Sequence, residues 1–125
     1  YARNGNLIYR QMVTACIERL LERRVIRTSL TSCGRVSVLE QMVGRKRRWI
    51  VHLLNYPTTR RFGLLEVIEE PLAVNDVAVE LACPAKVKSV ECVPDREPLA
   101  FEQRGPVVRF VLPRLVGHRA VCVTT

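Results

Sequence analysis

The chain has 125 residues, a mass of 14.3 kDa, 48% hydrophobic residues and 26% charged residues. That length accommodates one domain, because domains cluster near about 100 to 150 residues, and the composition is that of a soluble globular protein. A (β/α)8 barrel, which needs about 250 residues, and a membrane-spanning helix, which needs about 20 consecutive apolar residues, are both excluded. The formal net charge of +8 leaves nucleic acids and other polyanions open as partners.

Residues 7–24 are predicted to form one amphipathic helix. Apolar side chains recur there at helical spacing, and the apolar arc is wide enough to need contact on more than one side. The stripe consists of Tyr9, Val13, Cys16, Ile17 and Leu20, with Ile8, Met12 and Ala15 beside it. We therefore divide the chain into an N-terminal helical region, 1–27, and a β-sandwich domain, 28–125. We expect the two to form one compact unit.

After about residue 28 the hydrophobic period changes from 3.6 to 2, which indicates β-strands. Strands 35–43 and 48–56 are expected to pair antiparallel around a four-residue loop at 44–47, where Gly44 supplies the positive φ that hairpin loops often need. Further strands are predicted at 64–68, 77–82, 87–93, 99–102, 107–112 and 120–124, with 57–62 as a loop and a turn at 116–118.

Short strands at this spacing, without crossover helices, predict a mainly β fold. We expect an antiparallel β-sandwich of about seven to eight strands, preceded by one amphipathic N-terminal α-helix. Alternation along the strands assigns the core to Val77, Val79, Leu81, Val108, Phe110, Leu112, Val121 and Val123.

The cysteines indicate a reducing environment. There are five, which is an odd number, and none belongs to a CxxC pair: Cys16, Cys33, Cys83, Cys92 and Cys122. We expect all five to be buried, reduced thiols, which implies a cytoplasmic location. The chain begins at Tyr1 and lacks the apolar core of a secretory signal, so we interpret it as a fragment or a processed form.

No pattern in the sequence predicts catalysis or cofactor binding. His52 and His118 stand alone, and a metal site needs several converging ligands. Glu69 and Glu70 are adjacent, but neighbouring residues of a strand point to opposite faces and cannot easily act together. Nucleophile elbows and phosphate-binding glycine loops are absent from the sequence. We therefore predict no catalytic residue, no metal ligand and no cofactor.

The basic residues form the one feature that could carry a binding function. Residues 1–61 contain 13 Lys and Arg against 3 Asp and Glu, whereas residues 62–125 contain 7 against 9. Trp49 and Tyr56 lie near the basic run and could stack on nucleobases, although core packing is the default for both. Charged turns also keep sheets from aggregating. The candidate polyanion-binding residues are Arg45, Lys46, Arg47, Arg48, Arg60 and Arg61.

Several segments together resemble a known family. The stretch Trp49–Tyr56 (WIVHLLNY) resembles the segment that opens the C-terminal β-sandwich of bacterial β-galactosidase-like glycoside hydrolases with a trimerisation domain. Segments similar to that module follow in the same order at 71–72, 75–81, 88–95, 111–115 and His118, and residues 2–21 are similar to the last helix of the trimerisation domain. The resemblance implies a module without catalytic carboxylates, because the catalytic barrel of that family lies far upstream.

The leading hypothesis is therefore a non-catalytic accessory β-sandwich module, acting in packing, assembly or weak carbohydrate contact. Its expected partners are upstream glycosidase domains, or a second copy bound through the N-terminal helix, and no membrane. The alternative is a stand-alone basic module that binds nucleic acid or another polyanion, and the extra basic residues and the 57–62 loop leave room for it. We do not expect this chain to be an enzyme in its own right.

Overall fold

The computed structural model describes residues 7–21, 23–44, 46–61, 65–68 and 70–125. In this part of the chain one helix, α1 (Leu7–Leu20), precedes a series of β-strands that continues to the C-terminus. The strands are β1 Ile26–Thr28, β2 Gly34–Val43, β3 Lys46–Asn55, β4 Thr59–Arg61, β5 Leu65–Val67, β6 Ala73–Ala82, β7 Ser89–Val93, β8 Glu97–Pro98, β9 Phe101–Arg104 and β10 Val107–Thr124.

The helix α1 is shorter than predicted. It ends at Leu20, where Leu21 N–H still donates to the carbonyl of Ile17, rather than continuing to Arg24. Beyond the helix, the residue before β1 is already bonded to the sheet, since the carbonyl of Val25 accepts a hydrogen bond from Ala82 N–H at 2.8 Å. No residue of α1 is buried within the described structure, and its large apolar side chains remain about half exposed or more.

Eight of the described strands form one antiparallel sheet. Five of them follow the order β1-β6-β10-β3-β2, β7 and β9 pair with β10, and β8 pairs with β7. The strands β4 and β5 pair separately. One half of β10 (107–116) pairs with β6, and the other half (117–124) pairs with β3. Because one strand belongs to both halves, the sheet curls into a half-barrel. The mainly β antiparallel fold with one helix is confirmed, but two separate stacked sheets are not.

The predicted turn at 116–118 is wrong, because β10 continues through it. Gly117 has a φ of +64° and still pairs with Asn55, so the strand changes direction there without ending. A side chain at position 117 would be strained, and a Cβ built there lies 2.7 Å from the Tyr56 hydroxyl. Glycine thus permits one 18-residue strand where the sequence indicated two.

The β2–β3 hairpin is confirmed, but its loop is shorter than predicted. The strands pair from Gly34 opposite Asn55 to Val43 opposite Lys46, which leaves only positions 44 and 45 between them. Gly44 has a φ of +62°, as two-residue hairpin connections require. Lys46 and Arg47 therefore lie in a strand, not in a turn.

The predicted core is confirmed. All eight side chains assigned by alternation are at most 3% exposed: Val77, Val79, Leu81, Val108, Phe110, Leu112, Val121 and Val123. Trp49, Val51 and Leu53 from β3 complete the same cluster, together with Leu115 from β10. Burial of these side chains, at about 25 cal/mol per Å² of apolar area, is the main stabilisation of the sheet.

Other strand boundaries differ from the predictions. β1 and β8 were not foreseen, β9 begins two residues later than the predicted 99–102 strand, and β4 occupies the predicted 57–62 loop. Short edge pairs of two or three residues carry too few alternating positions to be recognised from periodicity. The predicted strand 64–68 and the pair Glu69-Glu70 lie partly outside the described residues.

Candidate functional site

The basic run of β3 is engaged in contacts within the sheet. Arg47 Nε lies 2.9 Å from Glu40 Oε1, and Arg48 Nε donates to Gln41 Oε1, also at 2.9 Å. These partners come from β2, which lies beside β3 in the hairpin. The two guanidinium groups are thus already paired with groups of the same chain, although they remain solvent-accessible.

Only some of the predicted polyanion-binding residues have described side chains, namely Lys46, Arg47 and Arg48. Lys46 is exposed at the start of β3, whereas Arg45 lies outside the described residues. Arg60 and Arg61 have a described backbone, in β4 opposite Glu66 and Leu65, but their side chains are not described. Polyanion binding therefore stays a prediction.

The aromatic residues near the basic run do not form a stacking platform. Trp49 is 7% exposed and belongs to the core, and the Arg47 guanidinium lies 6.0 Å from the centre of its ring. Tyr56 is more exposed, but its ring packs against Gly117. The default prediction of core packing is confirmed for Trp49.

Asn55 has a structural role at the end of β3. Its side chain is 3% exposed, and Nδ2 donates to the carbonyl of Leu72 at 3.2 Å. This bond ties the segment before β6 to the hairpin. No buried side-chain nitrogen or oxygen in the described structure lacks a hydrogen-bond partner.

The outer face of the β1-β6-β10-β9 half carries a row of alternating charges. Arg27, Glu80, Arg109 and Glu102 lie directly opposite one another on four successive strands. Arg109 Nε lies 2.9 Å from Glu80 Oε1. Opposite charges placed across a sheet stabilise the pairing by about 0.2 to 1 kcal/mol per pair. This row of charges therefore helps to align the four strands.

A shallow groove of about 590 Å³ lies beside this row of charges. Pro98, Phe101, Val111 and Pro113 contribute to its lining, with the Glu80–Arg109 ion pair at its border. Val111 is 47% exposed on this surface. The groove therefore exposes apolar area to water, and burying that area against another molecule would be favourable. It can accept a side chain from another domain or a small ligand with an apolar face.

The cysteines divide into two groups, so the prediction that all five are buried is wrong. Cys83, Cys92 and Cys122 are buried, but Cys16 on α1 and Cys33 before β2 are exposed. Burial raises the pKa of Cys83 above its ordinary value of 9.0 and does the same for Cys92. The two therefore stay protonated and unreactive at neutral pH.

The two histidines, predicted to be isolated, are in contact. His52 Nδ1 and His118 Nε2 are 3.0 Å apart, although 66 positions separate the residues. Within the described part of the chain, no group of three or more histidines, cysteines or carboxylates could hold a metal ion. No helix there is long and apolar enough to span a membrane.

The described residues thus form a β-rich module in which charged side chains pair with one another and the polar groups of the core are satisfied. A comparison with solved structures shows that this module is similar to part of a glycoside hydrolase. The alpha-L-fucosidase isoenzyme 2 from Paenibacillus thiaminolyticus matches with a TM-score of 0.88 and 34% sequence identity. The match covers 98% of this chain but only 19% of that enzyme.

The likeness supports a relation to glycoside hydrolases and does not confirm the β-galactosidase-like specificity. No protein-family model matches the chain, and no curated protein sequence matches it.

Proposed function

We propose that this chain is a non-catalytic accessory module of a glycoside hydrolase that acts in packing and assembly of the larger enzyme. The observation that carries the proposal is the match of nearly the whole chain to less than a fifth of an alpha-L-fucosidase. At 34% identity the likeness extends beyond fold to sequence. A module of this size leaves the catalytic groups to other parts of such an enzyme.

The exposed helix supports a packing role. Met12, Ile17 and Leu20 of α1 are 58%, 49% and 81% exposed, respectively. An isolated helix of 14 residues is marginal in water, and helices gain most of their stability by packing an apolar face. We propose that another domain of the enzyme, or α1 of a second copy, covers this face.

The apolar groove supports the same role. It lies on the outer face of the sheet, where Val111 and Pro98 are accessible to a neighbouring domain. Weak carbohydrate contact would also fall here, since Phe101 and the ion pair of Glu80 and Arg109 offer an apolar surface beside hydrogen-bonding groups. A β-galactosidase-like parent enzyme is proposed on the sequence resemblance that begins with the segment Trp49–Tyr56 and continues through the later segments in the same order.

A chimera tests the proposal. The segment of the Paenibacillus alpha-L-fucosidase that matches this chain is replaced by the chain, and the product is compared with an enzyme that lacks the segment. We expect the chimera to melt cooperatively and to hydrolyse an α-L-fucoside, whereas the deletion variant aggregates or loses activity. A matched chimera with M12S, I17S and L20S should lose stability, because its docking face is removed.

Two results would contradict the proposal. One is a chimera no more stable than the deletion variant. The other is glycoside hydrolysis by this chain alone, which would make it an enzyme in its own right. The alternative proposal, a polyanion-binding module, rests on Lys46 and its basic neighbours and is tested separately by the salt-dependent binding experiment in the Discussion.

A further inference from the structure

The strand β2 forms one end of the sheet. In the order β1-β6-β10-β3-β2, no described strand lies on its outer side. Its ten residues pair with β3 in a continuous register without a bulge. Natural proteins usually protect so long an edge with proline, lysine or a bulge, because it otherwise pairs with another strand. β2 contains neither proline nor lysine, and Leu39 and Met42 are more than half exposed.

The hairpin geometry determines which backbone groups of β2 face outward. Val43 and Lys46 flank the two-residue connection and therefore form a hydrogen-bonded pair. Bonded and non-bonded pairs alternate along an antiparallel ladder, so the odd-numbered residues of β2 bond to β3. Arg47, opposite Met42, agrees with this alternation, because its carbonyl accepts from Thr125 N–H on the other side of β3.

Four residues of β2 consequently direct both N–H and C=O away from β3: Val36, Val38, Glu40 and Met42. Within the described part of the chain, these backbone groups accept and donate no other hydrogen bond. They are spaced two residues apart, which is the spacing that an added antiparallel strand needs. The free edge is therefore a complete template for one more strand.

We propose that this edge pairs with β2 of a second copy of the chain, antiparallel about a two-fold axis, so that the two sheets become continuous. The free backbone groups select the register, because the four residues that carry them are centred on Leu39. Only a register centred on Leu39 bonds all of these groups in both copies. Val38 then pairs with Glu40 of the second copy, and Val36 pairs with Met42.

The side chains are compatible with this register. At the axis the two Leu39 side chains meet in a non-hydrogen-bonded pair, whose Cα atoms lie about 4.5 Å apart. The apolar Val36 faces Met42 of the second copy, and the polar Ser37 faces Gln41. No like charges, which would destabilise the pairing, lie directly opposite one another.

The proposed pairing goes beyond the proposed function, since it uses neither α1 nor the apolar groove and needs no other domain of an enzyme. A single pair of strands buries less than the area of about 1,200 Å² that stable complexes bury. We therefore expect a weak dimer, with a dissociation constant of about 10 to 100 μM. A two-fold interface is closed, so association stops at two copies.

Sedimentation equilibrium of the full chain under reducing conditions tests the pairing. The variant M12S/I17S/L20S serves as the background, because it removes any association through α1. Added to it, Leu39→Lys places two lysines face to face at the axis, whereas the control S37K places the same charge opposite Gln41 of the second copy. We expect L39K to weaken dimerisation at least about tenfold and S37K by less than about threefold.

Mixing L39K with L39E tests the register itself. Position 39 faces its own copy only in the proposed register, so the two variants should be monomeric separately and form a one-to-one dimer together. Melting monitored through Trp49 verifies that each variant is folded, as the exposure of Leu39 leads us to expect. A background chain that stays monomeric at about 1 mM, or assembles beyond a dimer, would overturn the proposal. So would equal effects of L39K and S37K, or no gain on mixing.

Discussion

The helix α1 and the curled sheet contain similar apolar side chains but place them in opposite environments. In α1, Leu20 is 81% exposed and Ile17 is 49% exposed, whereas Leu53 and Leu115 in the sheet are fully buried. The sheet curls around β10, so the inward-facing side chains of its strands pack against one another. A single helix cannot bury its own apolar face in this way. The sheet is therefore expected to determine the stability of this chain, and α1 its association.

The largest expected effect lies in the sheet. Leu53→Ala should lower the free energy of unfolding by about 2 to 5 kcal/mol, because it leaves a cavity at a fully buried position. Leu54→Ala is the matched control, since Leu54 points to the outer face and is only half-buried. Urea denaturation measures both, and equal losses would mean that the two residues do not differ in orientation as the structure shows.

The thiols offer a second contrast between the two regions. In the native chain Cys16 on α1 and Cys33 should react with a thiol reagent at least about a hundredfold faster than Cys83, Cys92 and Cys122, which react only when the sheet opens. All five should react in denaturant. Time-resolved labelling with mass spectrometry assigns each site, and rapid modification of three or more thiols in the native state would contradict the burial of the sheet cysteines.

Smaller effects are expected from the basic run beside the core. The triple variant R45S/K46S/R47S should change the free energy of unfolding by no more than about 1 kcal/mol, since the Arg47–Glu40 pair is about half exposed. Glu40→Gln breaks the same ion pair without touching a basic residue and serves as the control.

The same triple variant decides the polyanion alternative. We expect no nucleic-acid binding tighter than about 1 μM at physiological salt, because Arg47 and Arg48 are paired within the sheet. Filter binding over a range of salt concentrations measures the affinity and its salt slope. Tighter, salt-sensitive binding that is lost in the triple variant would favour the polyanion-binding module over the glycosidase module.

The smallest effect on stability is expected in the helix. The variant M12S/I17S/L20S should change the free energy of unfolding of the sheet by less than about 0.5 kcal/mol, because these side chains have no buried contacts to lose. Denaturation monitored through the buried Trp49 reports on the sheet alone. Sedimentation of the same variant shows whether α1 mediates self-association. A loss above about 2 kcal/mol would mean that α1 packs on the sheet.

Much of the fold could be predicted from local patterns in the sequence. The alternation of Val77, Val79 and Leu81 predicts a strand with one buried face, and the structure has it. The β2–β3 hairpin was likewise predictable, because Gly44 separates two alternating runs. Its loop length was not, because Lys46 and Arg47 have no strong preference for a turn or a strand once the pairing continues.

The candidate sites were less predictable than the core. The basic residues were visible as a run of charges, but their partners Glu40 and Gln41 lie on the facing strand and depend on the register. The exposure of Cys16 could not be read from its place in an apolar stripe, because no residue of that stripe is buried in the described structure.

The sequence by itself determined the strand-rich class, the inward residues and the helical segment, because these follow from the period of apolar residues over short distances. Tertiary structure decided how the strands combine. It joined two predicted strands into β10 through Gly117, curled one sheet where a sandwich was expected, and brought His52 within 3.0 Å of His118. Such contacts depend on the register of residues distant in sequence, and register is set by how the whole core packs.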